Sequence, residues 1–115
     1  MWERKIVVSF DDHGISAMYP ASRKLPGGKT YTIAWHDVQC VAVETNSSGP
    51  WGADFWYLLE GHDCLCAYPL GATGEQEANA EFPNRFPGFN FEPLVMAVSW
   101  TSNARFVCWR RESAQ

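Results

Sequence analysis

The first half of the chain contains short apolar runs with β-branched residues and a run, Thr30 to Trp35, in which apolar and polar residues alternate, and both patterns are typical of β-strands. One run covers Lys5 to Phe10 and a second covers Gly14 to Tyr19. The residues between them, Asp11-Asp12-His13-Gly14, include strong turn formers, so the two runs predict a hairpin. Further runs predict four more strands, at Thr30–Trp35, Val38–Thr45, Asp54–Glu60 and Cys64–Tyr68.

The connections between these strands are mostly short. His36-Asp37 separates the third and fourth strands and predicts a bulge or a bend rather than a full break. Gly61-His62-Asp63 is a short turn between the fifth and sixth strands. Because parallel pairs need long crossover connections, we expect the strands to form an antiparallel meander.

Two short helices are predicted between the sixth strand and the last one. Thr73 and Gln76 have the spacing of a capping box, which predicts the start of the first helix. Pro83 limits that helix to roughly two turns. Asn90 is placed to cap the second helix, and residues Arg105 to Arg110 predict a final strand.

The order of these elements predicts an α+β fold, namely a curved antiparallel β-meander of about six to seven strands with two short helices inserted before the last strand. The chain has 115 residues, which is the usual size of one domain, so we expect residues 1–115 to form a single α+β domain. A strand at the edge of the sheet, such as the last one, could pair between two copies and form a homodimer.

Composition excludes several classes of protein. Hydrophobic residues make up 46% of the chain and aromatic residues 15%, which argues against intrinsic disorder. The apolar runs are too short for a transmembrane helix. No apolar signal segment follows the residues Met1 to Lys5, so we expect a cytoplasmic location and free thiols at the four cysteines.

Charge is distributed unevenly along the chain. No Lys or Arg occurs from Thr30 to Asn84, a stretch with eight carboxylates, whereas the flanking residues have more basic than acidic side chains. The net charge is −4 and the pI is near 5.2, which argues against general nucleic-acid binding. If the carboxylates stay together in the fold, they form an acidic face that attracts a basic partner; otherwise they are a solvated surface that maintains solubility.

The first functional hypothesis is a non-catalytic cytoplasmic binding module that recognises another protein through this acidic face. Trp51 lies in a loop rich in Gly, Pro and Ser, where it either anchors a contact or folds back as a lid on the end of the sheet. The expected binding residues are Trp51, Asp54 and Glu60. An immunity-type protein that neutralises a basic effector is one case, and neither nucleic acid nor a membrane is expected as a partner.

The alternative hypothesis is a small metal- or thiol-dependent enzyme centred on His62, Cys64 and Cys66, with Cys40 or Cys108 completing a set of four ligands. Zinc sites usually have two to four residues between cysteines, whereas a single residue separates Cys64 from Cys66. The surrounding stretch has no cation that would lower the pKa of a thiol. We therefore expect no catalytic residue, no metal and no cofactor, and cysteines that act as small hydrophobes.

Four strings in the second half of the chain resemble small uncharacterised bacterial proteins of unknown function. The strings are Phe55–Gly61, Pro69–Glu75, Phe86–Phe89 and Asn103–Trp109. This resemblance implies no catalytic residues and no cofactor. The β-meander of the first half is similar to pleckstrin-homology-like domains, which end in a helix where this chain is predicted to end in a strand.

Overall fold

The computed structural model describes residues 5–21, 26–45, 55–98 and 104–111, and in these it contains two antiparallel β-sheets. The first sheet consists of β1 (Val7–Phe10), β2 (Gly14–Tyr19) and β3 (Lys29–Ala34), in that order. The second sheet is built from β4 (Cys40–Thr45), β5 (Phe55–Glu60), β6 (Leu65–Pro69) and β7 (Ala104–Arg110). Its strand order is β6-β5-β4-β7. The α+β class and the hairpins β1–β2 and β5–β6 are confirmed.

The prediction of one curved meander is wrong, because the chain leaves the first sheet after β3. Trp35–Asp37 forms a single turn of 3₁₀ helix, and β4 then begins the second sheet. The Arg111 guanidinium donates hydrogen bonds to the carbonyl oxygens of Val38 (2.9 Å) and Trp35 (3.3 Å). These bonds satisfy backbone groups at the crossover, which would otherwise be costly to bury. The break is therefore stabilised by a side chain from the opposite end of the described chain.

The inner faces of the two sheets enclose one hydrophobic core. In β5, Phe55, Tyr57 and Leu59 are buried and alternate with residues that face outward. Phe86 is fully buried at the junction, and its ring centroid lies 5.8 Å from that of Trp35 and 4.6 Å from that of Trp109. Aromatic packing around Phe86 thus joins the end of the first sheet to the edge of the second.

Hydrogen bonds also connect β6 to the first sheet. The Tyr19 hydroxyl donates to the carbonyl oxygen of Ala67 at 2.5 Å, and the Cys66 thiol lies 3.7 Å from the carbonyl oxygen of Tyr31. Both contacts reach across the gap between the sheets, so β6 is positioned by β2 and β3 as well as by β5.

The two predicted helical regions are both helical and both precede β7. The first is divided into α1 (Glu75–Ala80) and α2 (Phe82–Arg85), and the second is α3 (Glu92–Val98). The Asn90 side chain accepts a hydrogen bond from the Glu92 N–H at 3.0 Å, which agrees with its predicted capping role.

The predicted capping box at α1 is wrong. The N-cap is Gly74, and no side chain caps the helix. The Thr73 backbone instead pairs with β1, because the Val8 N–H donates to the Thr73 carbonyl at 2.7 Å and the Thr73 N–H donates to the Ile6 carbonyl at 2.9 Å. A parallel bridge to the first sheet therefore fixes where α1 begins.

Strand β7 contains a bulge that changes the predicted orientation of its side chains. Val41 pairs with Trp109 and Ala42 pairs with Val107, so Cys108 has no partner residue in β4. Alternation alone would put Phe106 and Trp109 on opposite faces. The extra residue instead brings both toward the hydrophobic core.

Gly74 is required by both its backbone conformation and its surroundings. Its φ is +86°, in the left-handed region that favours glycine. A Cβ atom at this position would run into the carbonyl oxygen of Val8. Gly88 has the same φ of +86°, but a Cβ atom there would meet nothing within 4 Å.

We predict that Gly74→Ala lowers the free energy of unfolding more than Gly88→Ala does. Both substitutions strain the backbone, at a cost of roughly 1–2 kcal/mol. Only Gly74→Ala also forces α1 away from β1. Urea denaturation of the two variants measures the difference, and equal losses would contradict the close approach between Gly74 and Val8.

Candidate functional site

The outer face of the second sheet is a regular array of side chains set by the strand register. Leu58 of β5 lies opposite Ala42 of β4 and Ala67 of β6, and Ala42 also lies opposite Val107 of β7. These four residues form the middle row of the array, and all four are apolar. Leu65 of β6 lies outside this row and is 41% exposed. We call this surface the outer face of the second sheet.

A cluster of three charged side chains lies across the same face. The Arg105 guanidinium is 3.3 Å from Glu44 Oε2, and it binds both carboxylate oxygens of Glu60 at 2.9 and 2.5 Å. Its Nη2 also lies 3.7 Å from the Cys40 sulfur. Hydrogen bonding to Glu60 raises the pKa of Arg105 further above its usual range, so the guanidinium stays charged. The cluster explains why Ala42 and Cys40 are buried although their strand positions face outward.

Of the three predicted binding residues, Glu60 is on this outer face, whereas Trp51 and Asp54 lie outside the described residues. The sequence predicts carboxylates without neighbouring cations, but Glu60 and Glu44 share Arg105. Arg105 is 45 residues from Glu60 along the chain, so only the fold brings them together.

The remaining described carboxylates of the cation-free stretch do not form one cluster either. Glu81 pairs with Arg85 at 3.2 Å, and Asp37 lies 3.5 Å from the His36 imidazole. Glu75 is buried. The described carboxylates of this stretch therefore differ in their surroundings, and Asp63 and Glu77 are exposed.

The residues of the alternative metal or thiol site are separated by the fold. His62 and Cys64 are exposed in the β5–β6 turn, whereas Cys66 is fully buried in β6. In the part of the chain that the structure describes, no three His, Cys, Asp or Glu side chains are placed to hold a metal ion. The geometry does not support a shared site at these positions.

Three of the four cysteines are buried, namely Cys40, Cys66 and Cys108, and Cys64 is exposed. Burial raises the pKa of Cys66 to about 12 and that of Cys108 to about 11. A thiol that stays protonated at neutral pH is a poor nucleophile. These two cysteines therefore act as core residues.

We predict that the folded protein has one fast-reacting thiol, Cys64. Titration with a thiol reagent such as DTNB should release one equivalent quickly and the other three only after unfolding. Cys64→Ser should abolish the fast phase. A second fast equivalent in the native wild type would show that one of the other cysteines is accessible.

A buried polar network lies on the inner side of β5 and β6. The Tyr68 hydroxyl donates to Asn79 Oδ1 at 2.8 Å, and Asn79 Nδ2 donates to Glu75 Oε2 at 2.6 Å. The Tyr57 side chain also bonds to Asn79 and Glu75. Desolvation raises the pKa of Glu75 above its usual value. All buried side-chain polar atoms in the described residues have partners, so the network is structural.

Glu75 lies in the first turn of α1, where an acidic residue suits the positive end of the helix dipole, and its side chain is nevertheless only 5% exposed. Helical spacing could have shown its position. Glu75, Ala78 and Phe82 are three and four residues apart, and all three are buried.

We predict that Glu75 makes stability fall as pH rises toward neutrality. The carboxyl binds its proton more tightly when folded, so its stabilising effect is complete below the usual pKa of 4.5 and is lost as pH rises through the folded value. Glu75→Gln should remove this dependence, whereas the exposed neighbour variant Glu77→Gln should keep it. Thermal unfolding measured across the pH range gives the stability of the wild type and of both variants. The prediction is contradicted if the stability of Glu75→Gln changes with pH in the same way as that of the wild type.

No protein-family model matches this chain, and comparison with curated proteins and with solved structures finds no match. The resemblance to small bacterial proteins therefore stays a prediction. No helix among the described residues has the length and apolar character needed to cross a membrane.

Proposed function

We propose that this protein is a non-catalytic binding module that recognises another protein through the outer face of its second sheet. The observation that supports this most directly is the apolar middle row of that face. An antiparallel sheet with one face in water normally places polar residues outward. Here Val107 is 37% exposed and Leu58 is half-buried. Ala42, which lies between them, is buried, so the exposed apolar surface of the row consists of Val107 on one side and Leu58 with Ala67 on the other. Exposed apolar surface on a sheet face marks interaction sites.

The charged cluster suggests the chemistry of the partner surface. Two carboxylates, Glu44 and Glu60, share the single guanidinium of Arg105. Arg110 adds a positive charge at the outward position opposite Cys40. A partner with apolar side chains, a Lys or Arg opposite the carboxylates and an acidic side chain opposite Arg110 would complement both the row and these charges. Trp51 and Asp54 stay candidates from the sequence, because they directly precede β5.

A cytoplasmic partner is the most consistent with the cysteines. All four are free, which suits a reducing compartment. An immunity-type protein that binds a basic effector has the properties described above, and is one form that the proposed function could take.

Affinity capture with matched variants tests this proposal. Val107→Asp and Leu65→Asp place a charge on the outer face of the second sheet, whereas Met18→Asp makes the same kind of change at an exposed residue of the first sheet. The wild type and Met18→Asp should retain a common partner protein, and the two other variants should lose it by about tenfold or more, as for a residue of an interface centre. Trp51→Ala tests whether the Gly-, Pro- and Ser-rich segment around Trp51 also contributes to binding of the partner.

Circular dichroism of each variant confirms that it is folded before capture. If every captured protein binds Val107→Asp, Leu65→Asp and the wild type equally, or if none is captured, the proposed function is wrong. Sedimentation of the purified protein identifies a second copy as the partner, because the same two variants should then dissociate the dimer.

A further inference from the structure

The outer face of the first sheet differs from that of the second because hydroxyl groups occupy its middle row. The register places Ser9 opposite Ser16 and Ser16 opposite Thr32, so one hydroxyl from each strand lies in a single line across the sheet. The Ser16 and Thr32 hydroxyl oxygens are 3.0 Å apart and hydrogen-bonded. Ser9 and Thr32 are exposed.

A cleft of about 230 Å³ lies beside this row, at the end of the sheet where β1 turns into β2. The neighbouring positions Gly14 and Ala34, which pair with each other, have almost no side chain. A Cβ atom at Gly14 would run into the carbonyl oxygen of Ile33. The close approach of β2 and β3 therefore requires glycine here, and the absence of a side chain leaves the depression open.

The cleft offers acceptors and donors but no positive side chain. Its lining includes the three hydroxyl residues, His13 and Asp11, and none of the described lining residues is Lys or Arg. Asp11 Oδ1 accepts hydrogen bonds from the backbone N–H groups of His13 (2.8 Å) and Gly14 (3.0 Å). These bonds lower the pKa of Asp11, so the residue is a carboxylate at neutral pH.

From these features we infer that the cleft binds a neutral polyhydroxylated ligand, namely a single sugar ring. An anion would meet the Asp11 carboxylate, and the nearby Arg85 guanidinium is already paired with Asp12 and Glu81, so phosphates and carboxylates are disfavoured. A large apolar ligand would not fit, because the volume is below the roughly 300–1,000 Å³ of pockets that hold drug-sized molecules. Sugar hydroxyls both donate and accept, which matches a row of Ser and Thr hydroxyls beside a carboxylate and an imidazole.

The ligand contacts in this proposal come from Ser9, Ser16, Thr32 and Asp11. This site lies on the first sheet and is separate from the protein-binding face proposed on the second sheet. The two assignments therefore succeed or fail independently.

An NMR titration of the ¹⁵N-labelled protein with the methyl glycosides of glucose, galactose and mannose tests the proposal. At least one should shift the amide signals of Ser9, Ser16 and Thr32 saturably, with a dissociation constant in roughly the millimolar range expected of a small, half-open cleft. Glucose 6-phosphate and glucuronate should bind more weakly than the neutral sugars. Maltotriose tests whether the ligand is a free sugar or one unit of a longer glycan. If maltotriose binds more tightly than the methyl glucoside, the ligand is a unit of a longer glycan.

Matched threonine variants on the same strand provide the control. Thr32→Val removes a hydroxyl from the cleft, and we expect it to weaken binding by about fivefold, the effect of one lost hydrogen bond. Thr30→Val makes the same change two residues away, outside the lining of the cleft, and should leave binding unchanged. The proposal is overturned if no neutral sugar gives saturable shifts in these residues, if the anionic sugars bind better, or if the two variants behave alike.

Discussion

Aromatic packing around Phe86 is the interaction on which the arrangement of the two sheets depends. The Phe86 ring is fully buried between Trp35, at the end of the first sheet, and Trp109, on the edge strand of the second. Large rings bury much apolar surface and prefer inclined contacts, which fix orientation as well as distance. This junction turns the inner faces of the two sheets toward each other. The other face of each sheet therefore points outward, and the two proposed sites lie on these outer faces.

Local patterns in the sequence were sufficient to predict most strands and the α+β class, because alternation depends only on neighbouring residues. The division into two sheets could not be predicted in the same way. The crossover at Trp35–Asp37 is stabilised by Arg111, which is 73 residues from Val38 along the chain. Hydrogen bonds of this range leave no periodic signal in the sequence.

The candidate site shows the same limit. Residues 55–59 are all apolar, so the sequence predicts a buried strand there, and the outward position of Glu60 follows from the burial pattern of β5 in the structure. Its partner Arg105 could not be identified, because the pairing of β7 with β4 depends on the bulge at Cys108. A count of charges along the chain could not show that Glu44 and Glu60 share Arg105.

The bridge between Thr73 and β1 has a consequence for how the protein behaves at high concentration. An open strand edge presents unpaired N–H and C=O groups to other chains, and such edges seed intermolecular β-structure. The Thr73 backbone occupies one donor, the Val8 N–H on the outer edge of β1, and one acceptor, the Ile6 carbonyl directly before this strand. Of the four edge strands in the described part of the chain, β1 is thus protected at this point against fibrillar self-assembly by pairing within the same chain.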